Sequence, residues 1–160
     1  MSRIKARDPL SSLDPGRGPL VTPRSVVALV LILGGIAWIV YYYVGVRPGP
    51  DDIDPKTFEP VYSGIGFFGD LKKWNYVIGF GAIMVGLIVA AHPSTPLGRG
   101  RGVVVGMLGC FLLGLLWICT YYVFSNDLSD LPVFNDLGQY NLMVGIGFMA
   151  VGFTYATRWE

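Results

Sequence analysis

Few side chains in this sequence have the types or spacing that chemistry requires. The single histidine is His92, and the two cysteines, Cys110 and Cys119, stand nine residues apart in one apolar run. At about 100° per residue they fall on opposite faces of a helix, out of reach of one another. Two thiols without a neighbouring histidine make no metal site. There is no Ser/His/Asp or Cys/His set, no carboxylate pair inside a helical stretch, and no glycine loop placed to cradle a phosphate ahead of a helix. The acidic cluster Asp51, Asp52 and Asp54 reads as a solvated face rather than a cation site. No catalytic residue, cofactor, metal or nucleic-acid partner is expected, and the chain does not read as an enzyme.

The elements around these residues are apolar and long. Of 160 residues, 52% are hydrophobic and 14% charged, where a soluble domain carries about a quarter. Four windows hold no Asp, Glu, Lys, Arg or His: Val26–Val46, Trp74–Ala91, Val103–Phe124 and Tyr140–Thr157. Each is about 18–22 residues long, enough to cross a hydrocarbon core of about 30 Å. None carries the polar stripe that a helix of a soluble bundle needs. The sequence predicts an all-α integral membrane protein with four transmembrane helices, 26–46, 74–91, 103–124 and 140–157. Outer loops 47–73 and 125–139, a Pro/Gly-rich cytoplasmic linker 92–102 and an unstructured basic tail 1–25 complete it. The first window is too long for a signal-peptide core and lacks a small-residue cleavage site, so it reads as a retained helix.

The charges suggest an orientation. With the N-terminus inside, the inner segments hold Arg3, Lys5, Arg7, Arg17, Arg24, Arg99, Arg101 and Arg158. The outer loops hold Arg47, Lys56, Lys72 and Lys73 among many acids. The positive-inside rule favours N-in/C-in. Arg3, Lys5 and Arg7 are candidates for contact with the anionic inner leaflet or a cytosolic partner. Tyr41–Tyr43, Trp74, Tyr76, Tyr121, Tyr122 and Tyr140 read as an interfacial aromatic belt rather than a ligand cage.

The chain also repeats itself. Trp38-Ile39-Val40-Tyr41-Tyr42-Tyr43-Val44 matches Trp117-Ile118-Cys119-Thr120-Tyr121-Tyr122-Val123 at an offset of 79. Trp74-Asn75, Gly79, Gly81, Val85-Gly86 and Ala90 match Tyr140-Asn141, Gly145, Gly147, Val151-Gly152 and Ala156 at an offset of 66. Two tandem two-helix units, 26–91 and 103–160, follow. Both start on the same side of the membrane, so the chain reads as a covalent version of a symmetric dimer, unlike the inverted repeats of many transporters. Asn75, Gly79 and Gly86 with Asn141, Gly145 and Gly152 are the candidate helix-packing residues. Small side chains let helices approach closely in lipid, and a buried amide can bond across helices. No intramembrane charge marks a transport path; a small four-helix channel or transporter is the alternative.

These residues resemble the CrgA-type cell-division proteins. The likeness runs through the basic start Met-Ser-Arg-Ile-Lys-Ala-Arg, the Gly35–Val44 segment, Trp74–Gly81 with Gly86, and the fourth span down to Thr157-Arg158-Trp159-Glu160. The resemblance implies a non-enzymatic inner-membrane protein at the bacterial division septum. It would adapt or scaffold the divisome, with partners of the FtsZ, FtsQ and FtsI type, and regulate septal peptidoglycan synthesis. Family members have two transmembrane helices; four helices and a long first outer loop are this chain's departures. Self-association is expected of the first unit.

Overall fold

The computed structural model describes residues 19–49, 51–127 and 131–158. Arg3, Lys5, Arg7 and most of the basic tail lie outside the described residues. The described chain is helical: α1 Pro23–Gly45, α2 Gly66–Leu71, α3 Trp74–Ala90, α4 Arg101–Val123, α5 Phe134–Leu137 and α6 Tyr140–Ala156. At 23 residues, α1 and α4 are long and apolar enough to cross a membrane, whereas α3 and α6 are apolar but shorter, at 17 residues each. At about 1.5 Å per residue, the two classes measure about 34 and 26 Å.

The first helix starts before the charge-free window because of its cap. Thr22 Oγ1 accepts the Ser25 N–H at 3.1 Å, and Ser25 Oγ accepts the Thr22 N–H at 2.7 Å. Pro23 follows at the first helical position, where its missing N–H costs nothing. The helix ends where Val46 and Arg47 both donate to the Tyr42 carbonyl, ahead of Pro48.

Two antiparallel hairpins form, α1 with α3 and α4 with α6, and α3 lies beside α6 to join them. The loops 46–73 and 124–139 share one end of the bundle, and the linker after α3 is at the other. The first loop is built rather than slack. Ile53 and Pro60 pair as an isolated antiparallel bridge, Val61 N–H donates to Asp52 O at 2.9 Å, and Ser63 Oγ donates to the Gly45 carbonyl at 3.2 Å.

The linker is also built. Thr95 is 1% exposed. Its hydroxyl donates to the Ala90 and His92 carbonyls and accepts the Gly98 N–H. This closes the C-terminal end of α3, whose last carbonyls have no partner within the helix.

The polarity of the bundle is inverted relative to a soluble protein. Asn75, Thr95 and Asn141 are its buried polar side chains, among the described residues, while Leu29, Val30, Leu33, Val44, Val105, Leu112 and Leu116 are exposed. An apolar exterior of this extent needs a covering phase or partner.

Candidate packing and interaction surfaces

Glycine places the two helices of each hairpin in contact. A Cβ at Gly35 would stand 2.5 Å from the Gly79 carbonyl oxygen, and one at Gly114 would stand 2.5 Å from that of Gly145. A Cβ at Gly79 would land on Ile39, and one at Gly145 on Ile118, its counterpart. Gly86 faces Ile32 and the Ala28 carbonyl at 2.8 and 3.0 Å, while Gly152 leaves 3.3 Å to Phe111 and 3.4 Å to Cys110 and Met107. These four sequence-designated glycines therefore line the two hairpin seams, the second slightly looser at its linker end.

The asparagines sit one turn further toward the loops, fully buried. Asn75 Nδ2 donates to the carbonyls of Phe68 and Lys72, both at 2.8 Å. Asn141 Nδ2 donates to those of Phe134 and Gly138, also both at 2.8 Å. Each amide thus pins the short helix before its own long helix. Lys72 adopts φ 46°, ψ −130°, and Gly138 adopts φ 50°, ψ −124°, so the turns are copies although only one carries glycine.

The copies differ at the next atom. Trp38 Nε1 donates to Asn75 Oδ1 at 3.2 Å, a bond across α1 and α3. The equivalent atoms, Trp117 Nε1 and Asn141 Oδ1, are both buried and have no hydrogen-bond partner among the described residues. Both indoles lie on the phenylalanine of the short helix, Trp38 on Phe68 at 4.5 Å and 43° and Trp117 on Phe134 at 4.3 Å and 22°, and Trp117 also meets the Phe80 ring edge-on at 5.4 Å. The bond across helices expected of both asparagines is made by Asn75 alone.

The two halves meet through unlike faces. α3 presents Tyr76, Phe80, Met84 and Leu87; α6 presents Val144, Gly147, Phe148, Val151 and Tyr155. In α3 numbering the latter are 78, 81, 82, 85 and 89, the other side of the helix. This departs from the symmetric dimer read from the sequence, because α3 lies in the α4/α6 surface while, among the described residues, no helix lies in the corresponding α1/α3 surface.

Each end of this contact has a polar lock. At the loop end, the Tyr76 hydroxyl donates to Asp136 Oδ2 at 2.6 Å, and Arg47 Nε stands 3.3 Å from the same oxygen. The Arg47 guanidinium also covers the Tyr43 ring at 4.6 Å. At the linker end, the Tyr155 hydroxyl donates to the Leu87 carbonyl at 2.8 Å. Tyr42 and Tyr76, read as belt residues, are buried at 2% and 1% exposure, whereas Trp74 and Tyr140 face outward.

The linker end is basic. Arg24 Nη1 lies 2.7 and 2.9 Å from the two ring nitrogens of His92, and Ser94 N–H donates to His92 Nδ1 at 3.1 Å. Nδ1, which takes the Ser94 N–H, is the accepting nitrogen of the ring. Partial desolvation, with Arg24 and Arg158 adding positive charge, holds its pKa below the ordinary value. Arg99 Nη2 donates to the Pro19 carbonyl at 2.9 Å, tying the chain before α1 to the linker.

Sequence reasoning singled out Gly79, Gly86, Gly145, Gly152 and both asparagines, but not Gly35, which meets Gly79 across the first seam. It missed Trp38, Trp117, Tyr76, Arg47, Asp136, Tyr155 and Thr95 as packing groups. The paired tryptophans were visible at matched repeat positions. Nothing in the spacing of Tyr76 and Asp136 announces a partner 60 residues away. Among the described residues, no group of three or more His, Cys, Asp or Glu side chains is placed to hold a metal.

The family model described as Cell division protein CrgA matches residues 14–92 and again residues 95–160, one match for each hairpin. A protein of Streptomyces avermitilis named Cell division protein CrgA is 43% identical over 54 residues, which is 34% of this chain and 60% of that protein. The match therefore spans less than two thirds of that relative's length. No solved structure matches.

Proposed function

The chain belongs to the CrgA family of cell division proteins, and from that membership we propose that it is a multi-pass inner-membrane adaptor of the bacterial divisome. Four crossings, α1, α3, α4 and α6, place both termini inside. The linker end, with Arg24, Arg99, Arg101 and Arg158, faces the cytoplasm, and the loop end, with Asp51, Asp52, Asp54, Asp70, Asp127 and Asp136, faces outward. The shorter α3 and α6 are within the range that spans a bilayer, since about 17 apolar residues suffice.

The protein works by holding other membrane proteins together rather than by chemistry. FtsZ, FtsQ and FtsI types are the partners that the family resemblance implies, and septal peptidoglycan synthesis is the process regulated. The observation that carries this reading is the tandem family match over two hairpins whose exposed surface is apolar along α1 and α4. The basic residues before Pro9, Arg3, Lys5 and Arg7, are available for the inner leaflet or a cytosolic partner. The cleft between α1 and α3, of about 190 Å³, is lined by apolar residues and glycines, Val30, Gly34, Trp38 and Ile78 among them, and suits a packing role better than a solute path.

A fluorescent fusion in dividing cells tests this. Enrichment at midcell, ahead of constriction, is the expected result. Even labelling of the whole envelope through division would remove the divisome reading.

A further inference from the structure

We propose that the groove between α1 and α3 receives α6 of a second copy of this chain, so that copies associate head to tail in the bilayer. This rests on the membrane reading above. Its starting point is that the two halves of one chain meet through unlike faces. A contact of that kind does not close on itself, and it leaves one unmatched face at each end.

Among the described residues, the receiving face is filled once and empty once. In the second hairpin, α3 covers the surface around Trp117, Val144 and Phe148: Phe80 meets Trp117 edge-on at 5.4 Å, and Gly147 lies against Met84. In the first hairpin the corresponding positions are Trp38, Ile78 and Ala82, and they line the open cleft. A Cβ at Gly81, the counterpart of Gly147, meets nothing within 4 Å.

The inserting face is likewise used once and left free once. The α6 counterparts of Phe80, Met84 and Leu87 are Ile146, Ala150 and Phe153. Ile146 is 56% and Phe153 62% exposed. The chain therefore carries both the empty groove and a free copy of the kind of helix face that fills its twin.

The tryptophans report the difference independently. Where the groove is empty, the Trp38 indole bonds Asn75. Where α3 presses in, Phe80 sits edge-on to Trp117, the indole lies flatter on Phe134 (22°) than Trp38 does on Phe68 (43°), and its N–H and the Asn141 oxygen have no partner among the described residues. Docking of α6 on the first hairpin should move Trp38 off Asn75 in the same way.

The contact between chains lacks the locks found within one. Asp70 takes the place of Asp136, but the residues that would face it are Leu142 and Asn126 in place of Tyr76 and Arg47. Val89 stands for Tyr155. Association between copies is for that reason weaker than the contact between halves, and reversible.

The test uses the full chain, with Cys110→Ala and Cys119→Ala, in lipid vesicles. One copy carries Gly81→Cys and the other Ala150→Cys, the counterparts of the touching Gly147 and Met84. A disulfide between unlike copies, exceeding 81–81 and 150–150 products several-fold, is expected. Leu142→Tyr with Asn126→Arg in the second copy supplies the missing lock and should raise the yield several-fold. Separately, the Trp38 indole N–H resonance of the protein with its native Gly81 and Ala150 should shift as protein per lipid rises, and Gly81→Phe should abolish that shift. Gly81→Phe leaves the hairpin seam untouched, and unchanged helicity verifies its fold. Like-copy products equal to the unlike one, or no crosslink at any protein density, would overturn the proposal. Because this is read in purified vesicles, its failure leaves the midcell result standing.

Discussion

Trp38→Phe and Trp117→Phe remove the same atoms from equivalent places, yet they should differ by about 2 kcal/mol. Each indole lies on the phenylalanine of its own short helix, Trp38 on Phe68 at 4.5 Å and Trp117 on Phe134 at 4.3 Å, and that part of the lost contact cancels; the added Phe80 contact of Trp117 is edge-on, and a phenylalanine ring keeps most of it. Trp38→Phe also deletes the 3.2 Å bond to Asn75 and leaves that buried oxygen unpaired, a loss of about 1 kcal/mol or more. Trp117→Phe deletes a buried N–H that has no partner among the described residues, which relieves a desolvation cost of about 1 kcal/mol. For a chain of this size, 2 kcal/mol corresponds to about 4–8 °C in the unfolding midpoint. Thermal unfolding in detergent micelles, followed by helicity, reads it directly. A double-mutant cycle sharpens it: Trp38→Phe with Asn75→Leu should show coupling of about 1 kcal/mol, and Trp117→Phe with Asn141→Leu coupling near zero. Equal midpoints for the two phenylalanine variants, or a lower one for Trp117→Phe, would refute the reasoning.

Gly86→Ala places a methyl 2.8 Å from Ile32 and 3.0 Å from a backbone carbonyl, while Gly152→Ala meets nothing closer than 3.3 Å. The first should cost about 1–3 kcal/mol through overpacking, and the second close to nothing once helix propensity offsets the contact; the same unfolding assay ranks them. Lys72→Gly should stabilise by about 1 kcal/mol, because Lys72 holds a left-handed φ that its counterpart Gly138 fills without strain; a midpoint that falls would contradict this. Tyr76→Phe removes the hydroxyl that donates to Asp136 and should cost about 1–2 kcal/mol, whereas Leu142→Phe at the equivalent place should be near neutral. His92 has a lowered pKa in the folded state. The folded protein therefore binds fewer protons, so stability is full above the ordinary histidine value and falls as pH drops below it. The midpoint should be lower at pH 5 than at pH 7.5, and His92→Asn should remove that part of the difference.

The helices were legible because the signal for them is crude and strong: runs without charge, bounded by Arg, Pro and aromatic residues. The hairpin seams were legible too. Gly79, Gly86, Gly145 and Gly152 recur at helical spacing, and the same spacing in both copies separates a seam from chance. What could not be read is which face meets which. α3 and α6 are apolar all round, so no stripe marks the side turned to the other half. The structured linker was hidden for a similar reason. Pro93, Pro96, Gly98 and Gly100 announce a turn, but only tertiary placement shows that Thr95 closes the end of α3. The belt reading failed at Tyr42 and Tyr76 because an aromatic ring at a helix end suits either lipid or core. Choosing between them depends on Asp136, 60 residues from Tyr76, and on the Tyr76 ring that meets Tyr42 edge-on from the other helix.

The positions of the hairpin seams agree between the copies, while the donors of the contact between hairpins differ. Asn75/Asn141, Gly35/Gly114, Gly79/Gly145 and Gly86/Gly152 agree, and all of them build a hairpin. Tyr76/Leu142, Arg47/Asn126 and Val89/Tyr155 differ, and all of them belong to the contact between hairpins. A dimer of identical units that meets through a self-complementary patch must satisfy two roles with one sequence. Covalent fusion lifts that constraint, because each copy can keep one half of a lock. Tyr76 and Arg47 then supply the donors to Asp136, and Tyr155 the donor to the Leu87 carbonyl. The consequence is a junction that is specific in order, first hairpin inserting and second receiving. It also leaves Asp70 and the α1/α3 groove on the outside, where a mate with a matching face, rather than the chain's own second half, must supply what is missing.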